Sequence, residues 1–249
     1  MGRIITIVSG KGGVGKSTFS ANIAANLALM SKKTLLVDAD IIMSNLDIIM
    51  GIQDRVLFSA SDIVNGRCDR NKAIIKEVLP NLDFLSGAMS IHDEQSRIVA
   101  GICDLLKDVK DKYDIILIDC PSGIDLTVKS LAKVSNASIV VTTPDITAIR
   151  DAGRIASMIY GEKTSDVRLV VNRVRPKLIE KGLAPDIDEI IDNTEVRLLG
   201  LIPEDLKIQI YSNKGILTPD VKKSLSRKAF ENIAFRIMGN DVPLYKFWS

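Results

Sequence analysis

The sequence predicts an α/β fold: a doubly wound, mostly parallel sheet with helices on both faces. Three observations carry that prediction: short apolar runs of strand length, helix-period stripes between them, and a glycine-rich turn where the first strand should meet the first helix. The runs at 4–8, 34–37, 115–118, 138–142, 168–171 and 198–202 are mostly continuous rather than alternating. A strand apolar on both sides belongs in a sheet covered on both sides, and alternation with helices marks βαβ units.

Taken in order, residues 4–8 run directly into the glycine turn, and Phe19, Ile23 and Leu27 then recur four apart, as a helix burying one side on a sheet requires. Runs 34–37 and 115–118 each end on a carboxylate, Asp38 and Asp119. Run 168–171 ends on Asn172 and Arg173, and run 198–202 on Pro203, Glu204 and Asp205. Leu225, Ala229, Ile233 and Ile237 predict a final helix, with Gly239 placed to end it. Ligands of open α/β sheets lie beyond the carboxyl ends of the strands, where these polar residues fall.

A chain of 249 residues that is 46% hydrophobic suits one domain, and no Pro-, Gly- or Ser-rich linker or repeat divides it. Thirty-three basic against 31 acidic residues give a net charge of +2, so no general attraction for nucleic acid arises, and nucleic acid is not an expected partner. Cys68, Cys103 and Cys120 stand far apart with no C-x-x-C, as isolated reduced thiols do. His92, the single histidine, reads as a surface loop residue. No apolar run approaches the ~20 residues of a membrane span, so a cytoplasmic protein is expected.

The segment Gly10-Lys11-Gly12-Gly13-Val14-Gly15-Lys16-Ser17-Thr18 matches G-x-x-x-x-G-K-[ST] between a predicted strand and a predicted helix. Its glycines let backbone N–H groups fold around phosphate oxygens, and the helix N-terminus adds its positive end. Lys16 supplies charge for the β and γ groups, and Ser17 a hydroxyl for Mg²⁺. The string predicts nucleoside triphosphate binding without separating an ATPase from a kinase or a GTPase. After such a loop, the apolar run ending in Asp119 reads as the strand that brings a carboxylate to the magnesium water shell.

Lys11 is a second lysine inside the loop, and the form K-G-G-x-G-K-[ST] resembles the deviant Walker A family of P-loop NTPases, in particular its MinD branch. Val37-Asp38-Ala39-Asp40, Asn45-Leu46-Asp47, Asp119-Cys120-Pro121-Ser122-Gly123 and the segments 200–205, 212–215 and 229–244 extend the resemblance over nearly the whole chain. It implies catalytic roles for Lys11, Lys16 and Asp40: Lys11 reaches across a dimer interface to the partner's nucleotide, and Asp40 orients the attacking water. It implies a magnesium site around Ser17, Asp38, Asp40 and Asp119, and a switch in which Pro121 and Gly123 let the backbone move when the γ-phosphate leaves. Asn172, Arg173, Pro203, Glu204 and Asp205 would form the adenine pocket; no guanine-reading N-K-x-D is present, which favours ATP.

What the resemblance implies for function is a slow, partner-stimulated ATPase that forms a homodimer with ATP and Mg²⁺. It would act in division-site placement by recruiting a MinC-like inhibitor to the membrane, with partners of the MinC and MinE kind, and releasing it on hydrolysis. A ParA-like positioning of DNA or cargo without membrane binding is the alternative. Two departures stand out. Ile42 and Ser44 occupy places where the family commonly has Gly and Arg. Residues 1–240 are expected to form the ATPase domain, and 241–249 a short tail where typical members continue into a basic amphipathic membrane helix; Phe247 and Trp248 suit peripheral contact with the inner face of the cell membrane.

Overall fold

The computed structural model describes residues 2–89, 93–162 and 166–245. His92 and the tail residues Phe247 and Trp248 lie outside them. The chain begins β1 (Arg3–Ser9), α1 (Lys16–Leu29), β2 (Thr34–Asp38), α2 (Leu46–Met50), α3 (Ala60–Val64), α4 (Arg70–Ala73), β3 (Ile75–Leu79) and β4 (Leu82–Ser86). It continues α5 (Gln95–Val109), β5 (Ile115–Ser122), α6 (Leu126–Lys133), β6 (Ala137–Thr142), α7 (Ile146–Tyr160) and β7 (Asp166–Val174). The last elements are α8 (Pro176–Glu180), α9 (Ile187–Thr194), β8 (Arg197–Pro203), α10 (Leu206–Ser212) and α11 (Arg227–Ile237).

The strands form one sheet in the order β3-β4-β2-β5-β1-β6-β7-β8, parallel except for the β3–β4 pair. The fold is therefore the doubly wound, mostly parallel sheet that the apolar runs predict. Strand β1 shows why its run is continuous. Ile4 and Val8 pack on one side with residues of α5, α6 and α7, such as Ile98, Leu131 and Ile155. Ile5 and Ile7 pack on the other with Phe19 and Ile23 of α1 and Ile233 of α11. Each buried side chain of this size contributes about 1.5–3 kcal/mol, so a polar residue facing either layer would be costly. Thr6, fully buried between them, shares a 2.7 Å hydrogen bond with Ser138 Oγ on β6.

The structure corrects the sequence reading at three places. Strands β3 and β4 were not expected; their sequences, IKEVL and LDFLS, carry charges that make weak apolar runs. Asp83 is tolerated in β4 because its carboxylate accepts from Lys76 Nζ and the Tyr113 hydroxyl, both at 2.7 Å, and from Glu77 N at 2.9 Å. Burial pushes its pKa up, but these bonds outweigh it and hold the carboxyl below its ordinary value. Leu225 is not part of the last helical stripe: it precedes α11 and is 61% exposed. The third place is the carboxyl end of two strands: β5 does not stop before Asp119 but runs on through Ser122, and β7 does not stop before Asn172 and Arg173 but runs on through Val174. Gly239 does end α11, at φ 84°, with its N–H on Arg236 O at 3.0 Å.

Candidate nucleotide site

The glycine turn between β1 and α1 takes backbone angles that suit glycine: φ is 80° at Gly13 and 93° at Gly15. A β-carbon at Gly15 would also collide with the Asn172 amide, whereas one at Gly12 or Gly13 would meet nothing within 4 Å. The loop thus presents an open concave backbone. Among the described residues no side chain caps α1, so its first-turn N–H groups face that concavity, an arrangement that favours an anion.

Lys16 is only 5% exposed, and its Nζ lies 3.0 Å from Asp119 Oδ1, itself almost fully buried. Ser17 Oγ is 3.4 Å from the same Nζ. Ser20, one helical turn beyond Lys16, has its hydroxyl oxygen 2.6 Å from Asp119 Oδ1 and 3.0 Å from Lys16 O, and its single proton goes to the shorter contact, the carboxylate. Sequence reasoning missed Ser20, although a residue four after Lys16 on a helix shares its face. The Lys16–Asp119 pair is a buried ion pair in which either partner alone would be strongly destabilising.

Asp38 and Asp119 are direct register partners on β2 and β5, which places two carboxylates side by side at the sheet's carboxyl end. Burial first, and the Asp119 charge second, push Asp38 up to about 7, against hydrogen bonds from Ser44, Leu46 and Asp40. Those bonds organise the following loop. Asp38 Oδ2 accepts from Ser44 Oγ at 2.8 Å, Leu46 N at 3.1 Å and Asn45 N at 3.2 Å, while Oδ1 accepts from Asp40 N at 3.1 Å. Ser44, a departure from the family pattern, is therefore a direct partner of Asp38. Asp40 is half-buried and accepts from Met43 N at 3.1 Å. Beyond Asp119, Cys120 is fully buried, and burial pushes its thiol well above the usual range, which leaves it unreactive. Gly123 turns the chain at φ 97° and donates to Ser9 O at 2.9 Å.

The donor set fits a magnesium nucleotide. An open N–H cradle, a buried lysine, the Ser17 hydroxyl and two adjacent carboxyl groups, of which Asp38 is pushed up by burial, converge at one place, and a divalent cation would relieve the repulsion between Asp38 and Asp119. Beside the loop lies a cleft of about 350 Å³ reached by Gly15, Thr18, Asn172, Arg173, Pro203 and Glu204. Asp205 also lines it. The sequence-predicted base residues therefore meet in one cavity, but their side chains are partly engaged. Asn172 Nδ2 donates to Val14 O at 2.8 Å, bracing the phosphate loop. Arg173 holds a left-handed φ of 54°, a conformation that costs a non-glycine residue roughly 1–2 kcal/mol. Glu204 forms a bidentate pair with Arg175. Asp205 caps α10 through Lys207 N at 3.0 Å and also accepts from Ser224 Oγ at 2.7 Å and Ser226 N at 3.2 Å.

Lys11 is not brought into the Lys16–Asp119 cluster. It is exposed, with Nζ donating to Thr147 Oγ1 of α7 at 2.9 Å, and it borders a second opening shared with Thr143, Asp145, Arg173 and Arg175. Thr143 and Asp145 were not singled out from the sequence, although they follow the predicted strand 138–142 at its carboxyl end.

A family model described as ParA, NUBPL iron-transfer P-loop NTPase, matches residues 1–238. The septum site-determining protein MinD of Synechocystis sp. is 39% identical over 254 residues, covering 99% of this chain and 93% of the relative. The chain belongs to the MinD branch of the ParA family of P-loop NTPases. Solved members share its whole architecture. The MinC:MinD cell division protein complex of Aquifex aeolicus contains a chain that superposes with a TM-score of 0.89 at 30% identity, covering 99% of this chain and all of that one. MinD of Pyrococcus horikoshii, solved with Mg-ADP, superposes at 0.82 and 30% identity, covering 95% and 96%. The family assignment accounts for the phosphate loop and the eight-stranded, mostly parallel sheet together.

Proposed function

We propose that this protein is an ATP-driven switch of the septum-placement type: Mg-ATP closes a homodimer, the dimer recruits a partner of the MinC kind to the membrane, and hydrolysis releases it. The observation that carries this reading is the separation of the two loop lysines. Lys16 is buried beside Asp119 in its own phosphate site, whereas Lys11 is exposed and points away from it toward α7. A basic side chain at the mouth of the loop is available to a nucleotide held by a second copy. The apolar side chains Ile42, Met43, Leu126, Ile146 and Leu183, each at least two-thirds exposed, follow the carboxyl ends of β2, β5, β6 and β7 and supply a surface for that second copy. The named relative, the MinC:MinD complex and the Mg-ADP-bound homologue support the partner class and the nucleotide.

In this scheme Lys16 and the loop N–H groups hold the phosphates, and Asn172 and the Pro203 segment flank the base. Ser17, Asp38, Asp40 and Asp119 would hold Mg²⁺ and its water shell, and the ion would supply charge neutralisation when bound. Asp40 orients the attacking water; phosphoryl transfer needs positioning and charge more than covalent help, so a single carboxylate suffices for that task. Stimulation by a MinE-like partner would act on the loop that Asp38 and Ser44 tie together. Tail residues Phe247 and Trp248 give the dimer peripheral contact with the inner face of the cell membrane, where two weak anchors reinforce each other.

The test is light scattering of the eluted protein with ATP and Mg²⁺. Asp40→Ala, blocked in hydrolysis, is expected to accumulate as a dimer, and Lys11→Ala to remain monomeric while still binding ATP. An Asp40→Ala protein that stays monomeric, or a Lys11→Ala protein that dimerises and hydrolyses like the original, would overturn the scheme.

A further inference from the structure

At the end of the sheet opposite the nucleotide, four arginines line one cavity of about 530 Å³. Arg3 and Arg197 open β1 and β8, Arg168 lies two residues into β7 and Arg236 lies in the last turn of α11; Asp166 and Asp241 share the cavity. Residues two apart on a strand face the same way, so Asp166 and Arg168 project to one side of the sheet. Ala137 of β6 is the register partner of both Ile5 and Asp166. Its small side chain leaves a path over β6, along which Arg3 Nη2 reaches Asp166 Oδ2 at 2.7 Å. Arg168 Nε binds the other oxygen of Asp166 at 2.5 Å. One carboxylate therefore serves two guanidinium groups.

The remaining charge is not balanced. Arg168 and Arg197 are direct register neighbours, a separation of about 4.8 Å between strands at which like charges repel. Arg197 makes no side-chain hydrogen bond or ion pair among the described residues. Arg3 Nη1 donates to Ile237 O at 2.9 Å and Arg236 Nη1 to Val242 O at 3.2 Å, so the backbone at the end of α11 fixes two of the heads in place. Four arginines less Asp166 and Asp241 leave 4 − 2 = +2 around a cavity with an apolar floor. Each guanidinium carries five donors in a planar fork that matches phosphate oxygens, and most of those donors are unspent.

We propose that this cavity binds a phosphate-bearing anion, bridged by Arg168 and Arg197 with Arg3 and Arg236 beside them. The phosphate can belong to a soluble ester or to the headgroup of an anionic phospholipid; both present the same oxygens. The site is separate from the nucleotide loop and does not rest on the switch reading.

The test uses the full chain saturated with Mg-ADP, so that the phosphate loop is filled. Inorganic phosphate is titrated against chloride at matched ionic strength while the arginine Nε–H NMR signals are followed. In parallel, sedimentation is compared with vesicles of phosphatidylcholine alone and of phosphatidylcholine with phosphatidic acid. Phosphate is expected to shift the Arg168 and Arg197 signals, and Arg197→Gln to weaken binding about tenfold, as loss of a charge-assisted hydrogen bond does. Arg197 is exposed on an edge strand, and unchanged Mg-ADP affinity verifies that the variant folds; should it fail, Arg236→Gln on α11 gives the same reading. Lys177→Gln, on α8 at the other end, is expected to change nothing. Phosphate binding that depends on Arg197, without Arg197-dependent sedimentation, assigns a soluble ligand; Arg197-dependent sedimentation with phosphatidic acid assigns a lipid headgroup. If neither phosphate nor these vesicles distinguish the arginine variants from the original protein, the proposal is wrong.

Discussion

The carboxylate pair makes the metal-free protein sensitive to pH in a way that one substitution isolates. Asp38 is raised from 3.8 to about 7 by burial and by Asp119. The protonated form is therefore favoured in the fold, and the stability this provides is fully present below the unfolded value and lost as pH rises through the folded one. Linkage between those two values gives about 2 kcal/mol at about pH 5.5 and almost nothing at about pH 8. With an unfolding entropy near 2.1 cal/mol/K per residue, a chain of this length changes its melting temperature by roughly 4 °C for that energy. The assay is scanning calorimetry without nucleotide and with a chelator, on the original protein and on Asp38→Asn. Asparagine stays neutral throughout, so groups that do not interact with position 38 cancel in the difference between the two slopes, which reports Asp38 together with its coupling to Asp119. Its absolute melting temperature is uninformative, because the amide cannot accept from Asp40 N and from the Ser44, Asn45 and Leu46 donors at once. The original protein should lose about 4 °C more than the variant across that pH range. Parallel slopes, or a steeper fall in Asp38→Asn, would refute the assignment of a buried, charge-crowded carboxyl.

Three further outcomes follow from the same geometry. Lys16→Ala removes the phosphate-binding ammonium and leaves Asp119 buried without its cation, so denaturant unfolding in the absence of nucleotide should show a loss of about 3–5 kcal/mol; a loss under about 1 kcal/mol would show Asp119 to be solvated. Gly15→Ala forces a β-carbon into the Asn172 amide at a left-handed φ, and should cost about 1–3 kcal/mol and lower nucleotide affinity in an equilibrium titration. Arg175→Ala breaks a pair that is largely open to water, and should change stability by less than about 1 kcal/mol in the same unfolding assay.

Much of the site was legible because its parts are local. The phosphate loop is a contiguous string whose glycines and lysine have chemical reasons to sit where they do, and the structure builds it around Gly13 and Gly15 as such strings require. Asp119 was legible one step later, because an apolar run ending in a carboxylate gains meaning once a phosphate loop precedes it. Strands β3 and β4 were not, since the acceptability of Asp83 depends on Lys76 and on Tyr113, the latter thirty residues away in sequence. The same non-locality hid the true work of Asp205, whose carboxylate holds Ser224 and Ser226, and of Ser44, whose hydroxyl reaches back six residues to Asp38. Spacing identifies which groups can meet a ligand; it does not reveal which of their lone pairs are already taken.

Strand β1 runs seven residues from Arg3 to Ser9, immediately before the phosphate loop, a rise of about 3.3 Å each and roughly 20 Å in all. Two unit charges that far apart interact by less than about 1 kcal/mol even at an effective dielectric near 20, before salt screens them further. The sheet is thus a spacer long enough to keep the charged groups at its two ends electrically deaf to each other. A ligand arriving at one end can influence the other by shifting backbone along the strands, and β1, paired in parallel with β5 and β6 from Ile5 to Ile7, holds its register over that stretch, the one irregularity lying between Ile7 and Ser9 beside the phosphate loop.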